Sequence, residues 1–103
     1  MIRAYVSVGA NIAPEANVLA ALRALLERVA VTGISTMYWT APLSRPEQEP
    51  FVNGVWQIAT DVAPRALKLA DLRDIERRLG RVRTGDADAA GTIDHDLLLY
   101  GDL

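Results

Sequence analysis

The chain contains no cysteine among its 103 residues, so neither a disulfide framework nor a thiolate metal site can hold it together. That suits a reducing compartment and leaves oxygen-ligated metals open. Charge of one sign is also lacking: 11 Lys and Arg against 13 Asp and Glu give a formal charge of −2. Such a balance supplies no global attraction to nucleic acid or to an anionic lipid surface, so a phosphate-bearing ligand would have to be bound by local groups. No stretch approaches the about 20 consecutive apolar residues of a membrane span, and the N-terminal MIRAYVSVGAN lacks a signal peptide's long apolar run. The expectation is a soluble, cytoplasmic protein with neither nucleic-acid nor membrane partners. Linkers and low-complexity tracts are missing too, which predicts a single domain over residues 1–103. At this length a domain buries roughly 60–70% of the surface its unfolded chain exposes.

What is present is periodic. Ile2 to Val8 alternate, with Ile2, Ala4, Val6 and Val8 on one face and Arg3, Tyr5 and Ser7 on the other, the pattern of a strand. Pro14 suits a first helical position, and Val18, Leu22, Leu25, Leu26 and Val29 then recur at helical spacing. The β-branched and aromatic run from Ile34 to Thr40 predicts a second strand, APLSRPEQEP a loop, and the alternation from Phe51 to Thr60 a third strand. In APRALKLADLRDIERRLG, Leu69, Leu72, Ile75 and Leu79 fall on one helical face, Asp74 precedes Arg77 and Arg78 by three and four residues, and Gly80 is placed to end the helix. RVRTGDADAAG is a polar loop, and TIDHDLLLYGDL, residues 92–103, completes a β-α-β-β-α-β order. The predicted class is α+β, a ferredoxin-like four-stranded antiparallel sheet with two helices on one face. That plan hosts many functions and decides none.

The last strand opens with Asp94 and Asp96. Side chains two apart on a strand share a face, about 6–7 Å apart at the backbone, so both carboxylates can reach one small ligand. A solvated polar strand start is the plain alternative. His95 falls on the opposite face with Ile93, Leu97 and Leu99, which favours a packed or edge histidine over a ligand. Phe51 and Asn53 likewise share a face; an aromatic ring beside a primary amide suits a flat heterocycle with a donor–acceptor edge, or is a core Phe next to an edge polar residue. Arg81 and Arg83 are two apart in a loop, where arginines are usually solvated.

VSVGAN at the end of the first strand, WTAPL followed by QEPFVNG, IERRLGRVR across the end of the second helix, and TIDHDLLLYGD together resemble the hydroxymethyl-dihydropterin pyrophosphokinases of folate biosynthesis, in family order and over nearly the whole chain. The resemblance implies a magnesium-dependent transferase that moves the terminal diphosphate of ATP to the 6-hydroxymethyl group of a reduced pterin and releases AMP. It implies that Asp94 and Asp96 hold two Mg²⁺ ions on the ATP phosphates, an arrangement suited to a hard cation that takes one or two carboxylates plus phosphate oxygens. Thr40, Pro42, Leu43, Phe51 and Asn53 would form the pterin side. Arg81 and Arg83 would neutralise phosphate charge during transfer. Arg73 and Glu76 match positions near the nucleotide, and both are open to a reading as ordinary surface charges.

The pattern departs from the family at two places. TGDADAAGT, residues 84–92, carries Asp86, Asp88 and Gly91 where the family usually has a Trp and then an Arg. The family also continues beyond this strand into a segment with a histidine, an arginine and a second stacking aromatic, whereas this sequence ends at Leu103. A homo-oligomer, in which a neighbour covers the surface around Leu97 to Tyr100, is therefore one expectation. Two other readings stand beside the enzyme: a non-catalytic binder of pterin or nucleotide, and a ferredoxin-like subunit that pairs through a sheet edge with Trp39 or Trp56 as its anchor.

Overall fold

The computed structural model describes residues 1–41, 49–80 and 93–101. Strand β1, Ile2–Ala10, buries Ala4, Val6, Val8 and Ala10 as its alternation demands, and leaves Ile2 exposed at its start. Pro14 opens helix α1, Pro14–Leu26, which buries Ala21 and Leu25. Leu26, expected in the apolar stripe, is exposed, and Val29 is buried just beyond the helix, where its N–H still bonds Leu25 O at 3.0 Å.

The single strand expected over Ile34 to Thr40 is instead two, β2 (Ala30–Ile34) and β3 (Tyr38–Thr40), both paired antiparallel with β4 (Phe51–Thr60). Residues 35–37 interrupt them for a local reason. The Ser35 N–H bonds Val55 O at 2.9 Å, but the Val55 N–H donates to Ser35 Oγ at 2.8 Å, so a side chain has replaced the carbonyl that would continue the ladder. Met37 then tucks over Gly54, where a Cβ would collide with its Sδ.

The second helix, α2, starts at Pro64 and runs through three segments: α-helical Pro64–Ala66, π-helical Leu67–Leu72 and α-helical Arg73–Arg78. The wider π turn places Leu67, Leu72 and Ile75 in the core and swings Leu69 outward, correcting the even helical stripe expected from the sequence. Gly80 follows with φ +87°, a left-handed conformation that a Cβ disfavours. Arg28, just past α1, ties the helices together: its Nη1 is 3.2 Å from Asp71 Oδ1 and its Nη2 is 2.6 Å from Asp74 Oδ2. Asp74 also meets Arg77 at 3.8 Å and Arg78 at 3.2 Å.

Strand β5, Asp94–Tyr100, pairs antiparallel with β1, and the described sheet runs β2-β4-β1-β5 with β3 also on β4. The β1–β5 register shifts so that Tyr5 faces Leu99 and Val6 faces Leu97. Leu98 is the additional residue of this bulge, and the alternation inverts after it. Leu99, expected inside with His95, is exposed, while Tyr100 turns inward and donates its hydroxyl to Val62 O at 2.7 Å. The architecture is thus a mixed α/β one, an antiparallel sheet with two helices. The core joins the even-numbered face of β1 and β4 to Leu25 of α1 and Leu67, Leu72 and Ile75 of α2. Trp56 belongs to it at 1% exposure, which removes it as an interface anchor; Trp39, at 60%, keeps that capacity. Among the described residues no helix is long and apolar enough to cross a membrane.

Candidate active site

The sheet face opposite the core carries the residues singled out by chemistry. In β4, Val52 is buried and its neighbours Phe51 and Asn53 turn the other way, partly exposed. Pairing with β3 sets Thr40 opposite Phe51 and Tyr38 opposite Asn53. The Asn53 amide donates from Nδ2 to Thr40 Oγ1 at 2.5 Å, which fixes the orientation of its carbonyl end.

That carbonyl end points across the sheet. Gly9 of β1 is the cross-strand partner of Asn53 on one side and of Asp94 on the other, so Asn53, Gly9 and Asp94 form one row over three strands. A Cβ on Gly9 would stand 2.8 Å from Asn53 Oδ1 and 3.9 Å from Asp94 O. Glycine keeps that row open. Ser7, in the next row, faces Asp96, and its Oγ donates to Asp96 O at 3.4 Å. Beyond the strand's end, buried Asn11 donates from Nδ2 to Glu49 O at 3.2 Å, tying β1 to the approach of β4. Gly9 and Asn11 lie in the VSVGAN segment but have no role in the sequence reading, whose alternation stops at Val8; β1 continues to Ala10 and so brings Gly9 into the strand interior, where a glycine marks a close approach.

Asp94 and Asp96 are exposed and flank His95, which is 3% exposed. His95 packs against Glu76 of α2, itself 2% exposed, with Nδ1 2.9 Å from Glu76 Oε2. The His95 backbone N–H donates to the same oxygen at 3.1 Å. Glu76 is therefore no ordinary surface charge; it anchors the strand that carries the two aspartates. Asp96 Oδ1 accepts from the Leu97 N–H at 2.9 Å and lies 3.3 Å from Lys68 Nζ. A cleft of about 110 Å³ is lined by Lys68, Arg73, Asp94, His95 and Asp96. Arg73 thus comes to the aspartates, while Pro42, Leu43, Arg81 and Arg83 lie outside the described residues.

Among the described residues no group of three or more His, Asp or Glu side chains gathers as a complete metal cage. Two exposed carboxylates beside an ammonium fit a different donor set, in which a hard divalent cation takes one or two carboxylates and completes its shell with phosphate oxygens and water. On the helix side, Asp74 forms ion pairs with Arg28, Arg77 and Arg78. The Asp74 carboxyl is held below the usual range mainly by its hydrogen bond from Arg28, whose own guanidinium is correspondingly raised.

A family model for 7,8-dihydro-6-hydroxymethylpterin-pyrophosphokinase matches residues 5–103. A 2-amino-4-hydroxy-6-hydroxymethyldihydropteridine pyrophosphokinase of Haemophilus influenzae is 39% identical over 105 residues, covering 98% of this chain and 64% of that protein. The protein of the same name from Pseudomonas aeruginosa is 39% identical over 104 residues, covering 97% of this chain and 62% of its own length. One from Pseudomonas putida is 34% identical over 103 residues, with 98% of this chain and 84% of that protein covered. The chain therefore spans a little under two thirds of the first two relatives.

Proposed function

Because the chain belongs to the 7,8-dihydro-6-hydroxymethylpterin-pyrophosphokinase family, we propose that it transfers diphosphate from ATP to 6-hydroxymethyl-7,8-dihydropterin, residues 1–103 acting as one pyrophosphokinase-like domain. The row Asn53–Gly9–Asp94 carries this reading. Two strand spacings separate its ends, roughly 10 Å, so a ring held at Asn53 can present its hydroxymethyl arm toward phosphates held at Asp94. We further infer the ferredoxin-like plan, with β2 and β3 together taking the second strand position.

In this reading the Phe51 ring stacks on the pterin, the Asn53 carbonyl accepts from its amino edge, and Thr40, with Pro42 and Leu43, walls that side. Asp94 and Asp96 would hold Mg²⁺, two ions by family resemblance, whose positive charge would offset that of the phosphate oxygens. Arg73 in the cleft, and Arg81 and Arg83 after the helix, bind phosphate oxygens. Glu76 acts on the nucleotide side through β5, by fixing the His95 backbone between the aspartates. The pterin hydroxyl oxygen bonds to the β-phosphorus, the bond from that phosphorus to the oxygen bridging it to the α-phosphorus breaks, and AMP leaves with the electron pair while the hydroxyl proton is lost. Positioning and charge neutralisation carry such a transfer.

Exposed Leu98 and Leu99 on β5, which pairs with β1 alone among the described strands, support the proposal of a homo-oligomer through this edge. Exposed Trp39 keeps an interaction subunit as the second reading. Calorimetric titration with 6-hydroxymethyl-7,8-dihydropterin in the presence of α,β-methylene-ATP and Mg²⁺ separates them. The enzyme reading expects pterin binding that weakens about tenfold or more in Phe51→Ala, as one stacking partner is lost with its buried area. Equal affinity in the two proteins would return Phe51 to a purely structural role.

A further inference from the structure

Lys68 and Arg73 lie five residues apart, and at 3.6 residues per turn an α-helix would turn them about 140° away from each other. They nevertheless line one cleft with Asp94, His95 and Asp96. The π-helical stretch Leu67–Leu72 accounts for this. Its wider turn, bonded from i to i+5, brings residues five apart toward one side, and π turns of this kind concentrate at functional sites. Straightened into a regular α-helix, the same sequence would carry Lys68 away from Arg73.

Lys68 Nζ lies 3.3 Å from Asp96 Oδ1, with both side chains about half exposed. An ion pair so open to water is weak, and the long lysine stem lets the ammonium move between acceptors at little cost. The cleft's two cations, Lys68 and Arg73, balance its two exposed carboxylates, Asp94 and Asp96. Once a divalent cation neutralises the aspartates, Lys68 and Arg73 become an excess of positive charge facing the same space.

We propose that Lys68 is a further nucleotide-binding residue of this site, an ammonium that shares Asp96 with a divalent cation and binds a phosphate oxygen when the cation holds that carboxylate. The inference rests on the reading in the preceding subsection, and it makes two predictions of opposite sign. Lys68→Met should bind Mn²⁺ alone, followed by electron paramagnetic resonance, about two- to fivefold more tightly, because an exposed competitor for Asp96 is gone. The same variant should bind α,β-methylene-ATP with Mg²⁺ about tenfold more weakly, the worth of one charge-assisted hydrogen bond, and Lys68→Arg should restore most of that loss. An unchanged thermal midpoint excludes general damage to the fold.

Weaker or unchanged Mn²⁺ binding in Lys68→Met would overturn the exchange at Asp96. Nucleotide affinity equal to wild type would overturn the phosphate contact and leave the parent reading intact. Wild-type protein that binds no nucleotide at all would overturn the parent reading and this use of Lys68 with it, while the Mn²⁺ arm still reports on Asp96.

Discussion

Gly9 and Asn53 are cross-strand partners placed so that any Cβ on Gly9 would stand 2.8 Å from Asn53 Oδ1. The contact falls on the end of a side chain rather than on backbone. Gly9→Ala is therefore expected to displace the amide while costing no more than about 1 kcal/mol of stability. Pterin affinity should fall about tenfold, since the amide loses the geometry that one directional hydrogen bond requires. Calorimetry on the folded variant checks this; unchanged affinity would mean that Asn53 does not read the ligand.

Glu76 and His95 form the buried polar link between α2 and β5. Replacing the acid by an apolar group leaves the His95 N–H and Nδ1 without their acceptor inside the protein. Glu76→Leu should lower stability by roughly 2–4 kcal/mol, read as a shift in the urea midpoint. It should also weaken Mn²⁺ binding at Asp94 and Asp96, because their strand has lost its tether. A change below about 0.5 kcal/mol, the size of an ordinary surface substitution, would show that the link carries no weight.

The Arg28–Asp74 pair predicts an acid dependence with a definite sign. The Asp74 carboxyl is lowered in the folded protein, chiefly by the hydrogen bond from Arg28, so the unfolded chain takes up the proton first as pH falls. Its stabilising contribution is complete above the unfolded aspartate value of about 3.9 and is lost as pH drops through the lower folded value. Arg28 is raised from a value already far above neutrality and adds no slope in this window. Thermal midpoints measured between about pH 5 and pH 2 should fall less steeply in Asp74→Asn than in wild type. Parallel curves would contradict the assignment.

Much of the frame was legible because alternation is a property of the backbone. β1 and β4 follow their period-two pattern along most of their length, and Asp94, His95 and Asp96 alternate out, in, out as any strand requires. The misreadings sit where one residue breaks the period. A bulge at Leu98 turns Leu99 out and Tyr100 in, a π turn exchanges Leu69 for Leu67 in the core, and Ser35 Oγ divides one expected strand into two. None of these leaves a compositional trace, since each depends on which partner the chain meets across the sheet or against the helix. The candidate site divides the same way. Its carboxylates, aromatic and amide were visible as residues two apart, whereas the open space at Gly9, the burial of Glu76 and the approach of Lys68 arise only from pairing and packing.

The central claim is that residues carried on one sheet face, from Phe51 to Asp96, perform diphosphate transfer. Its most direct measurement is AMP release on mixing the protein with ATP, Mg²⁺ and 6-hydroxymethyl-7,8-dihydropterin, with Asp94→Asn/Asp96→Asn in parallel. Pterin-dependent AMP formation by the wild-type chain, abolished in a double variant that retains its fold, is the predicted result. No AMP from the wild type, or equal AMP from both proteins, would contradict it.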